Sequence, residues 1–357
     1  MSKDIMILVI NLGSTSSKFA VYKNETELFR ESIDHERELI NSFPTRNDEI
    51  PFRIDIANEF LKRNGYHMGE FDAIAARAGN LANAEAGTYI IDEAICESLK
   101  TRPAVQHASN LCPIVAYELG EPYGIPAYMC DAPSVDQRWP VFKVTGIPEI
   151  EKYGGVHSEN MFEVAEKTAE KLKKKYENCS FVIAHMGGGI TYSLHYKGQV
   201  IDAYCDDAAS FSPERAGILP SVELIELCFS GKYTEEELKR YMRGKGGLVA
   251  HLGTSDAREV EKMAAEGNEY AALIYDALIY NVAKSIASLA VDVGGDVDRI
   301  ILTGGIAHSK QVVNKLTELL RFIAPLEIIP GEMEIKHIVG CTLKAFKNEI
   351  KVNRYKG

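Results

Sequence analysis

Between Ile7 and Tyr22 an apolar run breaks into Asn11-Leu12-Gly13-Ser14-Thr15-Ser16-Ser17-Lys18 and resumes as Phe19-Ala20-Val21-Tyr22. Two short apolar segments around so many small residues predict strand, tight turn, strand. Such a turn lets backbone N–H groups and hydroxyls converge on one point, the geometry that holds a phosphate without obstruction. An ordinary polar hairpin explains the stretch equally well at this level. It is not a GxxxxGK[ST] loop, because the spacing differs and the residues that follow alternate like a strand instead of opening a helix.

A glycine-poor, hydroxyl-rich hairpin at this place resembles the opening of the actin-like, sugar-kinase-like ATPase superfamily. A chain of 357 residues exceeds the size at which one core usually keeps growing, so two domains are expected. Pro140, Gly146 and Pro148 punctuate the stretch Trp139 to Ile150, where a boundary is expected.

In the first half, Ile56, Phe60 and Leu61 recur at helical spacing before an Asn64-Gly65 stop, and Phe71 to Ala78 reads as a buried strand carrying Arg77. A buried arginine needs a carboxylate, a phosphate or a mouth to solvent, so Arg77 is an anion ligand or half of a structural ion pair. Ile125 to Cys130 is the next strand, ending at Asp131, where ligands gather in α/β arrangements. A turn-forming aspartate is the alternative there.

The second half repeats this logic. A helix from about Ser158 to Tyr176 leads into strand Phe181 to Ala184, then His185-Met186-Gly187-Gly188-Gly189, then strand Ile190 to Tyr196. Strand, small-residue turn, strand thus occurs twice, and a duplicated sheet domain would set two phosphate loops across a cleft, one for each end of a polyphosphate. Arg215, between Pro213 and Gly217, is suited to presenting its side chain. Asp256 and Glu259 are spaced as a capping box, which leaves Gly253 and Arg258 unexplained. Gly304 and Gly305, after strand Ile300 to Leu302 and before a helix from Ser309, let a flat ring or ribose approach the backbone. A last helix runs from about Met333 to Lys347.

The formal net charge of −11 argues against nucleic acid or an anionic membrane as partner, since both call for excess cations. An anionic ligand would need local arginines, backbone amides and a metal. Seven cysteines, none spaced C-x-x-C, fit reduced thiols. Met1-Ser2-Lys3-Asp4 leads into a strand without a signal-peptide core, and no uncharged apolar run reaches the ~20 residues of a membrane span, so a cytoplasmic protein is expected.

The order of these signals is specific. Val9-Ile10-Asn11 with Gly13 to Ser16, His107-Ala108-Ser109-Asn110, Phe211 to Gly217, Gly231 to Thr234, Gly246 to Ala250 and Ile301 to Ala307 together resemble the acetate and butyrate kinase family, most closely its butyrate kinases, over nearly the full length. The resemblance implies an α/β fold of two actin-like (ribonuclease H-like) domains around a nucleotide cleft. Residues 1–145 with the returning helix 333–357 would form the acyl-acceptor side, and 146–332 the nucleotide side. It implies reversible phosphoryl transfer between ATP and a short carboxylate, with ADP and an acyl phosphate as products, Mg2+ as cofactor and a homodimer or larger homo-oligomer. The alternatives are a kinase of acetate, propionate or isobutyrate, or a catalytically silent nucleotide-binding paralogue.

Carried over residue by residue, Asn11, Ser14, Thr15 and Ser16 with Gly13 resemble the loop at the transferred phosphate, and Arg77 and Arg215 the transition-state clamp. Asp131, with Asn11, resembles the acid near phosphoryl group and metal, and His185 a donor to the transferred group. Gly187, Gly188 and Gly189 resemble the phosphate cradle, Gly253, Asp256 and Arg258 adenosine-side contacts, and Gly304 and Gly305 the ribose and α-phosphate floor. The chain departs from the family pattern at Asn80 to Ala86, at Asp207-Ala208-Ala209-Ser210 and at Glu332-Met333-Glu334. The first two changes are expected on the acceptor side, so Asn80, Ala86, Cys205 and Ser210 are expected to bound the acid pocket and to alter which carboxylate is accepted.

Overall fold

The structure, a computed structural model, describes residues 4–205 and 208–357. The chain divides into two compact units, Met1–Val135 with Met333–Gly357, and Asp136–Glu332. The change of unit precedes the proline- and glycine-punctuated stretch. Trp139 already belongs with the second unit, donating its backbone N–H to Ile201 O (2.9 Å) and stacking on Phe142.

In the first unit β1 (Met6–Leu12), β2 (Ser16–Lys23) and β3 (Thr26–Asp34) form an antiparallel meander. Strands β4 (Ala73–Ala76), β5 (Thr88–Ile90), β6 (Ala127–Cys130) and β12 (Val352–Asn353) complete a seven-stranded sheet in the order β12-β5-β6-β4-β1-β2-β3. β1, β4 and β6 are parallel neighbours. Because side chains alternate along a strand, β1 feeds two cores. Leu8, Ile10 and Leu12 pack with Phe60 and Ile114 on one face, while Ile7 and Val9 meet Ile335, Ile338 and Val339 of the last helix, Glu334–Phe346, on the other. Each such side chain contributes roughly 1.5–3 kcal/mol by leaving water, and a strand covered on both faces reads as a continuous apolar run. β3 lies at the sheet edge, mostly exposed, and its charges guard that edge.

The strand expected over Phe71 to Ala78 is shorter. Arg77 lies just past β4, its N–H still donating to Ile10 O (2.9 Å). Gly79 ends the extended run in close contact with Leu99 and Asn110, where a Cβ would sit 2.9 Å from a leucine methyl.

The second unit repeats the plan. β7 (Ser180–Met186), β8 (Ile190–Tyr196) and β9 (Gln199–Tyr204) form an antiparallel meander, and β10 (Arg299–Gly304) and β11 (Leu326–Pro330) extend it in parallel. The order is β11-β10-β7-β8-β9. Val182, Ala184 and Met186 pack on Leu278, Val282 and Ile286 of the helix Glu269–Val291. That helix is long and apolar enough by composition to cross a membrane, which the charge-free-run reading missed. About half of its apolar window is buried against the sheet, as in a core helix. In each unit a hairpin meander is followed by two parallel strands, the actin-like α/β arrangement expected from the sequence.

Candidate active site

In an open α/β sheet ligands gather at the carboxyl ends of parallel strands. At that end of the first sheet β1, β4 and β6 lie roughly 4.8 Å apart, and they deliver Asn11, Arg77 and Asp131 side by side. Asn11 is buried, and its Oδ1 accepts from Arg77 Nη1 at 3.4 Å. Asp131 has φ +48°, a left-handed conformation that short polar residues tolerate at a cost of order 1 kcal/mol. Gly87 N–H donates to its Oδ1 (3.3 Å), and its Oδ2 is 2.7 Å from His337 Nε2. Cys341 lies 3.6 Å from the same imidazole nitrogen. A hydrogen bond from Cys130, helped by His337, pulls the Cys341 thiol down to about 6 against the effect of burial.

The turn after β1 is built from beneath. Arg53, wholly buried, donates to Gly13 O, Ser14 O, Ser16 O and Ser17 Oγ, and is neutralised by Glu49 at 2.9 Å. Drawing these carbonyl oxygens to one side leaves the opposite side of the turn free of carbonyl charge, as an anion requires. Sequence reasoning missed this pair. An arginine and a glutamate four apart on a helix read as a solvated ion pair, and the signal was their position on the apolar face of Ile50–Arg63, beside Ile50, Ala57 and Phe60.

In the second unit the corresponding turn is Gly187-Gly188-Gly189, closed by Gly187 N–H donating to Gly189 O (3.1 Å). The loop 211–215 folds over it. Ser212 Oγ and Glu214 N–H both donate to Gly188 O, at 2.9 and 3.0 Å. A Cβ on Gly189 would meet Arg215 Cζ at 2.2 Å, so a glycine there is what lets the guanidinium lie on the turn. His185, buried at the end of β7, reaches the same turn and stacks on His157, ring centroids 4.0 Å apart and 17° from parallel. His157 is held by Thr191 Oγ1 at 2.8 Å. It too was missed, for a histidine opening a helix carries no periodic signal. On the neighbouring strand Gly304 has φ +83°, and a Cβ there would sit 2.6 Å from Met186 O.

A cavity of about 690 Å³ opens beside this turn, within the range of small-ligand sites. Gly187, Gly188, Asp256, Arg258 and Gly305 line it. Asp256 caps the helix Ala257–Ala265 through Arg258 N–H (2.9 Å) and pairs with the Arg258 guanidinium, which holds its carboxyl down to about 2. The expected capping box is half formed, since Glu259 accepts from the Thr254 hydroxyl instead. Gly253 ends the helix Gly247–Leu252 with φ +76° and is not among the lining residues. The wall that sequence reasoning missed is Glu261, Tyr275 and Ser309, whose hydroxyls donate to Glu261 Oε2 at 3.0 and 2.8 Å. They come from three helices, so no local pattern links them.

The structure therefore groups Asn11, Arg77 and Asp131 with the turn Gly13 to Ser16 in one unit, and His185, Gly187 to Gly189, Arg215, Asp256, Arg258, Gly304 and Gly305 in the other. The remaining candidates are placed differently. Asn80 is buried and takes its backbone N–H to Asn110 Oδ1 (2.8 Å), and Ala86 adjoins the Gly87 that holds Asp131. Cys205 is buried, and Ser210 is committed to Tyr192 (2.6 Å) in the interior of the second unit. Asp206 and Asp207 lie outside the described residues.

Comparison with known proteins shows what the whole chain is similar to. The chain is 38% identical over 344 residues to probable butyrate kinase 2 of Caldanaerobacter subterraneus subsp. tengcongensis, covering 96% of this chain and 97% of that one. The crystal structure of Porphyromonas gingivalis acetate kinase superposes with TM-score 0.81 over 95% of this chain and 99% of its own, at 18% identity. A propionate kinase from Francisella tularensis subsp. tularensis does so with TM-score 0.77 over 95% and 99%, at 20% identity. Residues 143–328 match the description of the acetokinase family. A duplicated actin-like sheet, full-length similarity to a carboxylate kinase and a family match across most of the second unit have one common reading, and the chain belongs to the acetokinase family.

Proposed function

We propose that this protein transfers the terminal phosphoryl group of ATP reversibly to a short-chain carboxylate, butyrate or a related short or branched acid, giving an acyl phosphate and ADP. The observation that carries the reading is the row Asn11, Arg77, Asp131 on three adjacent parallel strands, in a chain 38% identical to a probable butyrate kinase. A carboxylic acid with a pKa of about 4–5 is already the nucleophile at neutral pH, so no general base is required. What the site must supply is placement and cancellation of charge between two anions.

In this reading Arg77 and Arg215 neutralise the transferring group, His185 donates to it, and the turn Gly13 to Ser16 receives it. Gly187 to Gly189 cradle the remaining phosphates, and the cavity floored by Gly305 takes the nucleoside. Magnesium fits the oxygen donors of the first unit, Asn11 Oδ1 and the Asp131 carboxylate, whose oxygens retain lone pairs beyond the bonds from Gly87 and His337. When bound it would neutralise phosphate charge. The segment Asn80 to Ala86 would set the size of acid accepted, with Cys205 and Ser210 acting from the interior on the loop between them. A homo-oligomer is supported by the helix Ser221–Phe229, which buries none of its residues although Val222, Ile225 and Phe229 are apolar. A cytoplasmic location goes with this metabolic role.

The test is hydroxamate trapping of acyl phosphate from ATP with a panel of C2 to C6 acids. Product is expected with butyrate or a near relative. Arg215→Ala should abolish turnover while leaving ATP affinity within a few-fold. Absence of hydroxamate with every acid, at normal ATP binding, overturns the reading.

A further inference from the structure

Cys130, Asp131, His337 and Cys341 bring four ligand atoms within 4.8 Å of one another. Two features of the fold produce this. His337 and Cys341 are four residues apart on the helix Glu334–Phe346, hence on one face. Cys130 ends β6, and in a continuing strand Asp131 would point to the opposite side of the sheet. Its φ of +48° breaks that alternation, so thiol and carboxylate both reach the helix. Cys130 is 1% exposed and His337 3%. Among the described residues no cysteine is in a disulfide.

We propose that these four side chains form a binding site for a thiophilic divalent cation of the zinc class, distinct in chemistry from the magnesium of the reaction. Two sulfurs, an imidazole nitrogen and one carboxylate oxygen are a borderline-soft donor set, whereas magnesium takes oxygen. A tetrahedral zinc with bonds of about 2.0–2.3 Å needs ligand atoms about 3.3–3.8 Å apart. The 3.6 Å between Cys341 Sγ and His337 Nε2 already meets that. The 2.7 Å between Nε2 and Asp131 Oδ2 opens slightly, and the widest separation closes by about 1 Å. On binding, both sulfurs ligate as thiolates, with whatever thiol protons remain passing to solvent, and the imidazole carries its proton on Nδ1 so that Nε2 can ligate. Such a metal takes Asp131 as a ligand and withdraws it from the phosphoryl site, so occupancy shuts the enzyme off.

The test uses the full chain with its thiols kept reduced by a phosphine, which also excludes a Cys130–Cys341 disulfide. Cobalt(II) serves as the probe, followed by competition with zinc. A thiolate-to-cobalt charge-transfer band saturating at one ion per chain is expected. It should be lost in Cys341→Ser and in His337→Asn and kept in Cys228→Ser, the exposed cysteine. Zinc affinity should fall at least about 100-fold when one ligand is removed, more than the loss of a supporting group would cause. Two variants at different ligands, each checked for a native melting profile, keep the test decisive if one misfolds. No charge-transfer band, or a band that survives both substitutions, overturns the site. Because this readout needs no turnover, it stands or falls independently of the proposed reaction. Zinc inhibition that a chelator reverses, and that Cys341→Ser escapes, ties the site to Asp131.

Discussion

The two sheets share a strand plan and differ in what stands at the ends of their parallel strands. β1, β4 and β6 lead to an amide and a guanidinium in contact, and to a carboxylate at the end of the next strand. β7 leads into Gly187 to Gly189 and β10 ends at Gly304, where a Cβ on Gly189 or Gly304 would clash, beside an open cavity. The first arrangement concentrates charge, and the second exposes backbone. One scaffold used twice thus presents two kinds of surface, charged side chains in one unit and open main chain in the other, which the proposed reaction would use for a reacting and for an unreactive phosphate. The turns make the same point. Gly13 and Ser14 turn their carbonyls to a buried arginine, whereas Gly187 to Gly189 bring no side chain, and the guanidinium of Arg215 lies on them from outside.

The sharpest way to break this comparison is to delete charge in the first unit. Arg77→Ala and Asp131→Asn should each lower kcat on the order of 10³-fold or more, the scale at which losing one transition-state charge contact acts. ATP affinity, measured by calorimetry, should stay within a few-fold. If affinity collapsed in step with turnover, the two units would not divide the labour as described.

Next in size is Arg53→Met. It takes from Glu49 its buried partner, leaving only Arg46 on the other carboxylate oxygen, and frees the carbonyls of Gly13, Ser14 and Ser16. Breaking a buried pair from one side costs about 3 kcal/mol or more. Denaturant unfolding should show that loss, while Arg53→Met with Glu49→Gln recovers part of it. An unchanged midpoint would mean the turn keeps its shape without the arginine.

Smaller again is Gly304→Ala. The left-handed backbone and the Cβ placed 2.6 Å from Met186 O should cost about 1–3 kcal/mol in the second unit. Weaker ATP binding should accompany it, with little effect on metal binding by the Cys130 cluster. A melting temperature equal to that of the parent would show that β10 shifts freely away from β7.

How far these features were legible in the sequence follows their range. Both turns and the strands on either side of them could be read, because small-residue turns between alternating strands are local signals, and Arg77 stood out as a charge at the end of an apolar run. Arg53 did not, since a helical i, i+4 ion pair looks the same whether solvent or a strand turn lies above it. His337 and Cys341 gained meaning only from the packing of the last helix on β6, a contact between residues some two hundred positions apart in the chain. The Glu261, Tyr275 and Ser309 wall is of the same kind. Even the length of β4 was set by tertiary contact, Gly79 against Leu99 and Asn110.

The finest test concerns the neighbouring carboxyls of Asp202 and Asp292. Asp292 follows the helix Glu269–Val291 as its C-cap and interacts with Asp202 of β9, which is 1% exposed. Burial, then the neighbouring Asp202, push Asp292 up to about 7, and burial pushes Asp202 up as well. Lys152 acts in the opposite direction on both, and Arg138 on Asp202. The carbonyl end of a helix adds to the penalty on a carboxylate there. The folded chain therefore binds a proton that the unfolded chain releases near pH 4, and stability falls as pH rises from about 4 through about 7. Asp292→Asn mimics the protonated form. It should be neutral near pH 3 and stabilising by about 1 kcal/mol at pH 8, less than the full shift implies because Asp292 is partly solvated. Urea midpoints at the two pH values decide it. A variant less stable than the parent at pH 8 would mean that the pair is ionised and that Lys152 and Arg138 hold it so.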